Sequence, residues 1–240
     1  MSAVLCSVGA GVATLTLNRP ESRNALNLEM CELLLGFCRD IAAGEDVRLA
    51  LVRGNGPVFC AGADLKERQG MSAEQVRERR MKAFAAYAAL EALPMPAVAV
   101  VEGPAVGSGC EIAAACDFIV ATPAASFRTP EATRGTVGAT QRLPRILGKR
   151  LAKDLMLTGR SLSAGEALAA GLVSRLVAEA KLDETLEEIK DGILKAPQQS
   201  LRLAKRCIDK GVELDPQGAL QAEIAAIDEQ LASGQWMGRK

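Results

Sequence analysis

Two glycine-rich turns constrain the fold of this chain more than any other feature. The first, Cys60-Ala61-Gly62-Ala63-Asp64-Leu65, is entered from the short apolar run Val58-Phe59-Cys60. The second covers residues 103–109. It follows the apolar run Ala-Val-Ala-Val-Val at 97–101 and leads into small apolar residues. Glycine permits the positive φ and the close backbone approach that such turns need. A buried strand, a glycine turn and then a helix is a building unit of α/β folds. The first N–H groups of that helix have no intrahelical partner and sit at the positive end of the helix dipole. Two turns of this kind can offer backbone N–H groups to one oxygen.

The remaining pattern supports the same class. Residues 12–18 alternate as a strand and stop at Arg19-Pro20. Asn27 caps a helix over 28–43, whose apolar stripe is Leu28, Cys31, Leu34, Leu35, Cys38 and Ile41. A buried strand is expected over 47–53, and Ser72 caps a helix over 73–92. Further strands are expected over 97–101, 117–121, 126–128 and 172–177. Helices are expected over 111–116, 142–157 and, behind a Ser163 cap, 164–170. From Asp183 the chain reads as helical. The fold class is therefore α/β, with a core over 1–180 and a helical C-terminal region over 181–240.

Composition removes several kinds of chemistry. The 240 residues carry 29 basic and 29 acidic side chains, so there is no global pull toward nucleic acid or an anionic membrane. Cysteines stand at 6, 31, 38, 60, 110, 116 and 207, an odd number with no CxxC pair. Reduced thiols fit this better than a disulfide framework, and no spacing suggests a metal site. The start of the chain lacks a leader-like pattern, and no uncharged apolar run reaches membrane length. A soluble cytoplasmic protein without a membrane partner is the expectation. The chain also has no histidine. Acid–base work near neutral pH then falls to tuned carboxylates. Glu111, in Gly107-Ser108-Gly109-Cys110-Glu111, and Glu131, in Thr129-Pro130-Glu131, are the candidates. Asp64 and Asp117 read as structural, with Asp64 pinning the first turn.

Seven segments, collinear over residues 12–177, carry a resemblance. They are Leu17-Asn18-Arg19-Pro20 with Asn24-Ala25-Leu26; Phe59 through Lys66; Gly103 with Gly107 through Glu111; Ala115-Cys116-Asp117; Phe127 with Pro130-Glu131 and Gly135; Thr140-Gln141-Arg142-Leu143; and Leu157-Thr158-Gly159 with Ala164, Ala167 and Gly171-Leu172-Val173. In these the chain resembles the crotonase superfamily, the enoyl-CoA hydratase/isomerase family. The resemblance implies a spiral of repeated ββα units and C-terminal helices that assemble homotrimers or homohexamers. It implies an acyl-CoA thioester whose carbonyl oxygen sits between the N–H groups of Ala63 and Ser108. No cofactor is implied, since CoA is part of the substrate. Relatives that hydrate 2-enoyl-CoA carry both glutamates, whereas isomerases often keep only the second. Glu111 would activate water for attack on Cβ, and Glu131 would hand a proton to Cα. Of the two, Glu131 is expected to be protonated more easily, because the helix N-terminus opposes protonation of Glu111. Near the CoA the resemblance places Arg23, Lys66 and the backbone of Ala25 and Ala61. Met81, Phe84 and Tyr87 share one helical face, as an acyl-pocket wall or as core. Arg202, Lys205, Arg206 and Lys210 form a basic face that reads as wetted surface.

The pattern departs from the family in two places. The segment after Glu131 is shorter than in most hydratases, and Arg134 stands where many relatives have an apolar residue. Facing the pocket, Arg134 would recognise an acyl carboxylate; otherwise it points to solvent. The C-terminus lacks the usual last helix, for whose CoA contacts Trp236, Arg239 and Lys240 are possible substitutes. The alternatives to a hydratase are a double-bond isomerase, a decarboxylase, a thioester hydrolase, or a relative that binds RNA without turnover.

Overall fold

A computed structural model of the chain describes residues 2–234. Its strands, in chain order, are β1 (Val4–Gly9), β2 (Val12–Leu17), β3 (Leu49–Gly54), β4 (Ala97–Val101), β5 (Pro104–Val106), β6 (Phe118–Ala121), β7 (Ser126–Arg128), β8 (Ser161–Ser163) and β9 (Arg175–Leu176). The helices are α1 (Leu28–Ala43), α2 (Ala73–Glu91), α3 (Ser108–Ala114), α4 (Arg142–Thr158), α5 (Ala164–Ala169), α6 (Leu182–Lys195), α7 (Gln198–Gly211) and α8 (Pro216–Ala232). Among the described residues no helix is long and apolar enough to cross a membrane.

The larger sheet runs β1-β2-β3-β4-β6-β9, and only the β1–β2 pair is antiparallel. A smaller sheet, β5-β7-β8, lies beside it. The chain alternates between the two layers. After β4 it enters β5 and then α3; after β6 it enters β7. Earlier turns repeat the move with single bridges, Leu26 beside Ala63 and Cys60 beside Ala105. This is the expected succession of ββα units.

The parallel strands are buried on both faces, as such sheets must be. In β3, Ala50 and Val52 join the main core while Leu49 and Leu51 face the other way. In β4, Ala97, Ala99 and Val101 point into the main core, and Val98 and Val100 point opposite. α6 covers that second face with Leu182, Leu186 and Ile189. The Arg48 side chain fastens the end of α6 by donating to the carbonyls of Leu194 and Ala196.

Local signals set the helix starts. The Asn27 side chain accepts from Met30 N–H, and Ser72 and Ser163 each close a reciprocal capping box with the residue three places on. Other expectations shift. Residues 4–9 form β1, an edge strand that was not expected, because most of its side chains are exposed and show no apolar alternation. β5 lies inside the glycine segment, and α3 starts at Ser108 rather than at Glu111. Residues 58–60 contribute only the Cys60 bridge. The strand expected over 172–177 shrinks to two residues, since Leu172 and Val173 are taken by the core. Gly148, at φ +73°, interrupts α4.

If α6 seals the second face of the sheet, Leu186→Ala should leave a cavity under it. Urea unfolding should show a loss of about 2–5 kcal/mol with the m-value unchanged.

Candidate functional site

The two glycine turns meet because the smaller sheet holds them together. Val106 N–H donates to Cys60 O at 2.8 Å, and Gly107 N–H donates to Arg128 O at 2.8 Å. On the other side Leu26 N–H reaches Gly62 O at 2.7 Å, and Asp64 N–H reaches Leu26 O at 2.9 Å. Among the described residues the Ala63 N–H, between these rungs, has no acceptor. Ser108 opens α3, where an N–H has no intrahelical acceptor either. Gly107 has φ +52°, and a Cβ there would stand 2.6 Å from Glu131 Oε1. Only glycine fits between the second turn and that carboxyl.

The first turn is braced from below. Asn24 is fully buried at φ +52°, and its side chain donates to Asn55 O and Val58 O while accepting from Arg19 N–H. Asp64 pins the turn as expected. It accepts from the N–H groups of Lys66 and Glu67 and pairs with Arg19 at 2.9 Å. Burial pushes the Asp64 pKa up, but the Arg19 guanidinium and these two N–H groups outweigh it and hold the carboxyl below its usual range.

A cavity of about 410 Å³ opens between the turns. Ala61, Gly62 and Ala63 line one end, with Gly107 and Ser108 beside them; Glu111, Glu131 and residues 136–139 line the rest. Ala83, Phe84 and Tyr87 of α2 supply an apolar wall. Met81, expected on the same face, does not line the cavity and is largely exposed. Of the residues placed near CoA, Ala61 reaches the lining. Its N–H donates to Arg23 O at 3.0 Å, which sets Arg23 and Ala25 beside that end but outside the lining. Lys66 is exposed and also outside it. Arg134 lines the cavity and is exposed as well. Trp236, Arg239 and Lys240 lie outside the described residues.

Both glutamates leave one carboxyl oxygen buried and without a partner, Glu111 Oε1 and Glu131 Oε2. An unsatisfied buried acceptor is costly, and both line the same cavity. Burial raises the pKa of each. For Glu111 the Arg142 guanidinium opposes this, while Glu131 and Glu91 add to it. For Glu131 the opposition comes from its own N–H and from Arg80 and Arg134.

Arg142 is the functional neighbour that sequence reading missed. Its Nη1 donates to Glu111 Oε2 at 2.9 Å and its Nη2 to Glu91 Oε2 at 2.7 Å, and the guanidinium lies 5.9 Å from the Tyr87 ring centre. The only signal was its place in Thr140-Gln141-Arg142-Leu143, which carried no role. Outside the cavity, the basic face of α7 is partly spent. Lys205 pairs with Asp117 at 2.7 Å and is 10% exposed, so it is not the wetted residue expected, and Arg206 pairs with Glu229. Among the described residues no group of three or more His, Cys, Asp or Glu could hold a metal.

The family model for enoyl-CoA hydratase/isomerase matches residues 7–236. The chain belongs to that family. The short-chain-enoyl-CoA hydratase of Clostridium acetobutylicum is 35% identical over 222 residues, which are 91% of this chain and 85% of that protein. The crystal structure of an enoyl-CoA hydratase from Bacillus anthracis matches at TM-score 0.91 and 37% identity, covering 94% of this chain and 90% of that one. A Thermobifida fusca protein solved in complex with acetoacetyl-CoA matches at TM-score 0.88 and 26% identity, covering 97% and 96%.

The raised Glu131 pKa has a consequence for stability. Below the ordinary value of 4.5 the folded and unfolded chains both hold the proton. As pH rises from there through the folded pKa, only the unfolded chain ionises freely, so this group's contribution to folding is lost. Glu131→Gln removes that loss. Its melting temperature should exceed that of the wild type by about 1–2 °C near neutral pH, with the gap closing below 4.5, in calorimetry across pH.

Proposed function

We propose that the chain is an enoyl-CoA hydratase acting on a short- or medium-chain 2-enoyl thioester. The observation that carries this is the pair of glutamates, each with one buried and unpartnered carboxyl oxygen, in one cavity with the unspent N–H groups of Ala63 and Ser108. The thioester oxygen accepts from those two N–H groups. Charge moves onto it as water attacks Cβ, so donors already fixed at that point stabilise the transition state more than the ground state. One such donor contributes roughly 2.7–4 kcal/mol.

The protons balance as follows. Glu111, oriented by Arg142, takes a proton as the water oxygen bonds to Cβ. The enolate-like thioester takes a proton at Cα from Glu131. After turnover Glu111 is protonated and Glu131 ionised, and exchange with solvent restores the pair. Glu131 adds to the rise of the Glu111 pKa, so the two titrations are linked. Arg142 pairs directly with Glu111, whereas Arg80 and Arg134 act on Glu131 without an ion pair among the described residues, and this difference favours Glu131 as the proton holder. The presence of both glutamates supports a hydratase over an isomerase. CoA enters at the Ala61 end, with Arg23, Ala25 and Lys66 around its mouth.

Glu111→Ala and Glu131→Ala should each lower kcat by about 10²–10⁴-fold on crotonyl-CoA, followed by loss of enoyl absorbance, with KM changing far less. Full activity in either variant contradicts the assigned roles, and a wild type inert on every enoyl-CoA contradicts the reaction.

Assembly belongs to the same reading. α7, α8 and the turn between them expose Ile208, Val212, Leu220, Ile224, Ile227 and Leu231, apolar surface of the kind copies of a chain bury between them. Light scattering should give the mass of a homotrimer or homohexamer, and Ile224→Asp should lower it.

A further inference from the structure

We propose that the acyl group taken by this site ends in a carboxylate, and that Arg80 and Arg134 read it. The inference rests on the hydratase reading for the direction in which the substrate lies. Four arginines line the cavity: Arg68, Arg79, Arg80 and Arg134. Arg79 is spent, since it is 4% exposed, pairs with Glu67 and donates to Leu26 O. Arg68 comes from the loop after the first turn, on the side of Ala61 to Leu65. Arg80 and Arg134 remain. Among the described residues neither is in an ion pair, and Arg80 Nη2 donates only to the Thr136 hydroxyl, at 3.1 Å.

Their placement gives the class of ligand. Arg80 stands on the α2 face that also carries Ala83, Phe84 and Tyr87, at spacings that share one side of a helix. Arg134 ends the short 3₁₀ turn that starts directly after Glu131. The two guanidiniums approach Glu131 from different elements, and both act on its carboxyl. They therefore flank the part of the cavity around Glu131 and Thr136. With the thioester oxygen at Ala63 and Ser108 and Cβ at the glutamates, that part receives the far end of the acyl chain.

An alkyl tail there would strip water from the half-buried Arg80, crowd the exposed Arg134 and return nothing to either. A carboxylate would instead accept charge-assisted hydrogen bonds from planar forks suited to it. The cavity volume of about 410 Å³ suits a short acyl chain. The ligand is thus a short dicarboxylic 2-enoyl thioester. A phosphate of CoA offers the same anionic chemistry to arginine, so the test must separate the two sources.

Binding of glutaryl-CoA and butyryl-CoA separates them. Both are unreactive to hydration and carry the same CoA, and glutaryl-CoA adds a terminal carboxylate. Calorimetric titration of the wild type should show glutaryl-CoA bound about tenfold more tightly or better. Arg80→Gln and Arg134→Gln should each shrink that ratio severalfold, the double variant should bring it near one, and Arg134→Lys should restore part of it. A wild-type ratio near one overturns the inference. So does an unchanged ratio in the variants, including the case in which both ligands weaken together, the signature of CoA phosphate binding. Turnover of crotonyl-CoA is scored separately. Turnover without the binding preference leaves the hydratase and removes the carboxylate; the preference without turnover does the reverse.

Discussion

The site depends on one short set of backbone hydrogen bonds, the rungs that tie the first glycine turn to β5 and to Leu26. Cys60 accepts from Val106 N–H and donates to Pro104 O, and the bridge between Leu26 and Ala63 is closed by Gly62 O and Asp64 N–H. In a parallel ladder successive residues turn their N–H groups alternately toward and away from the partner. The rungs on either side of Ala63 therefore leave its own N–H facing away from Leu26. α3 starts one residue beyond Gly107, so the Ser108 N–H is also unspent. Two donors come free as a consequence of how the layers join. Gly62 at φ +98°, with Val106 O only 3.1 Å from where a Cβ would be, shows how closely the two turns approach.

Around those donors the structure accepts a local cost. Two carboxyls are buried together, each short of one hydrogen-bond partner, and burial raises both pKa values. Two apolar clusters cover both faces of the sheet, which offsets that cost. The two glutamates sit in different environments. Glu111 shares Arg142 with Glu91, in a chain of charges that leads out to the surface. Among the described residues Glu131 has no ion pair, and it is packed against Gly107 and Gly138. One fold thus sets two carboxyls with raised pKa values in one cavity, one against a paired guanidinium and one without such a pair.

Much of this was legible in the sequence, for physical reasons that differ by element. Asn27, Ser72 and Ser163 announce their helices because a cap acts on N–H groups two or three residues away. Ala97–Val101 reads as a strand because both its faces are buried, leaving no polar position. Glu111 and Glu131 stand out because no histidine competes with them. β1 was invisible, because an exposed edge strand has no apolar period. Arg142 was silent because its partners are 31 and 51 residues away and become neighbours only in the fold. Lys205 likewise looked like surface until Asp117, 88 residues away, lay against it. Met81 and Phe84 both match the helical spacing, and packing alone decides that Phe84 lines the cavity and Met81 does not.

The most direct measurement of the central claim is to follow the oxygen. A short-chain 2-enoyl-CoA is incubated with the protein in ¹⁸O-labelled water, and the product is analysed by mass spectrometry and NMR. Addition of water between the two glutamates yields one ¹⁸O, as a hydroxyl on Cβ of an intact thioester. An ¹⁸O in a free carboxylate with CoA released, or an unlabelled product whose double bond has moved, would contradict it.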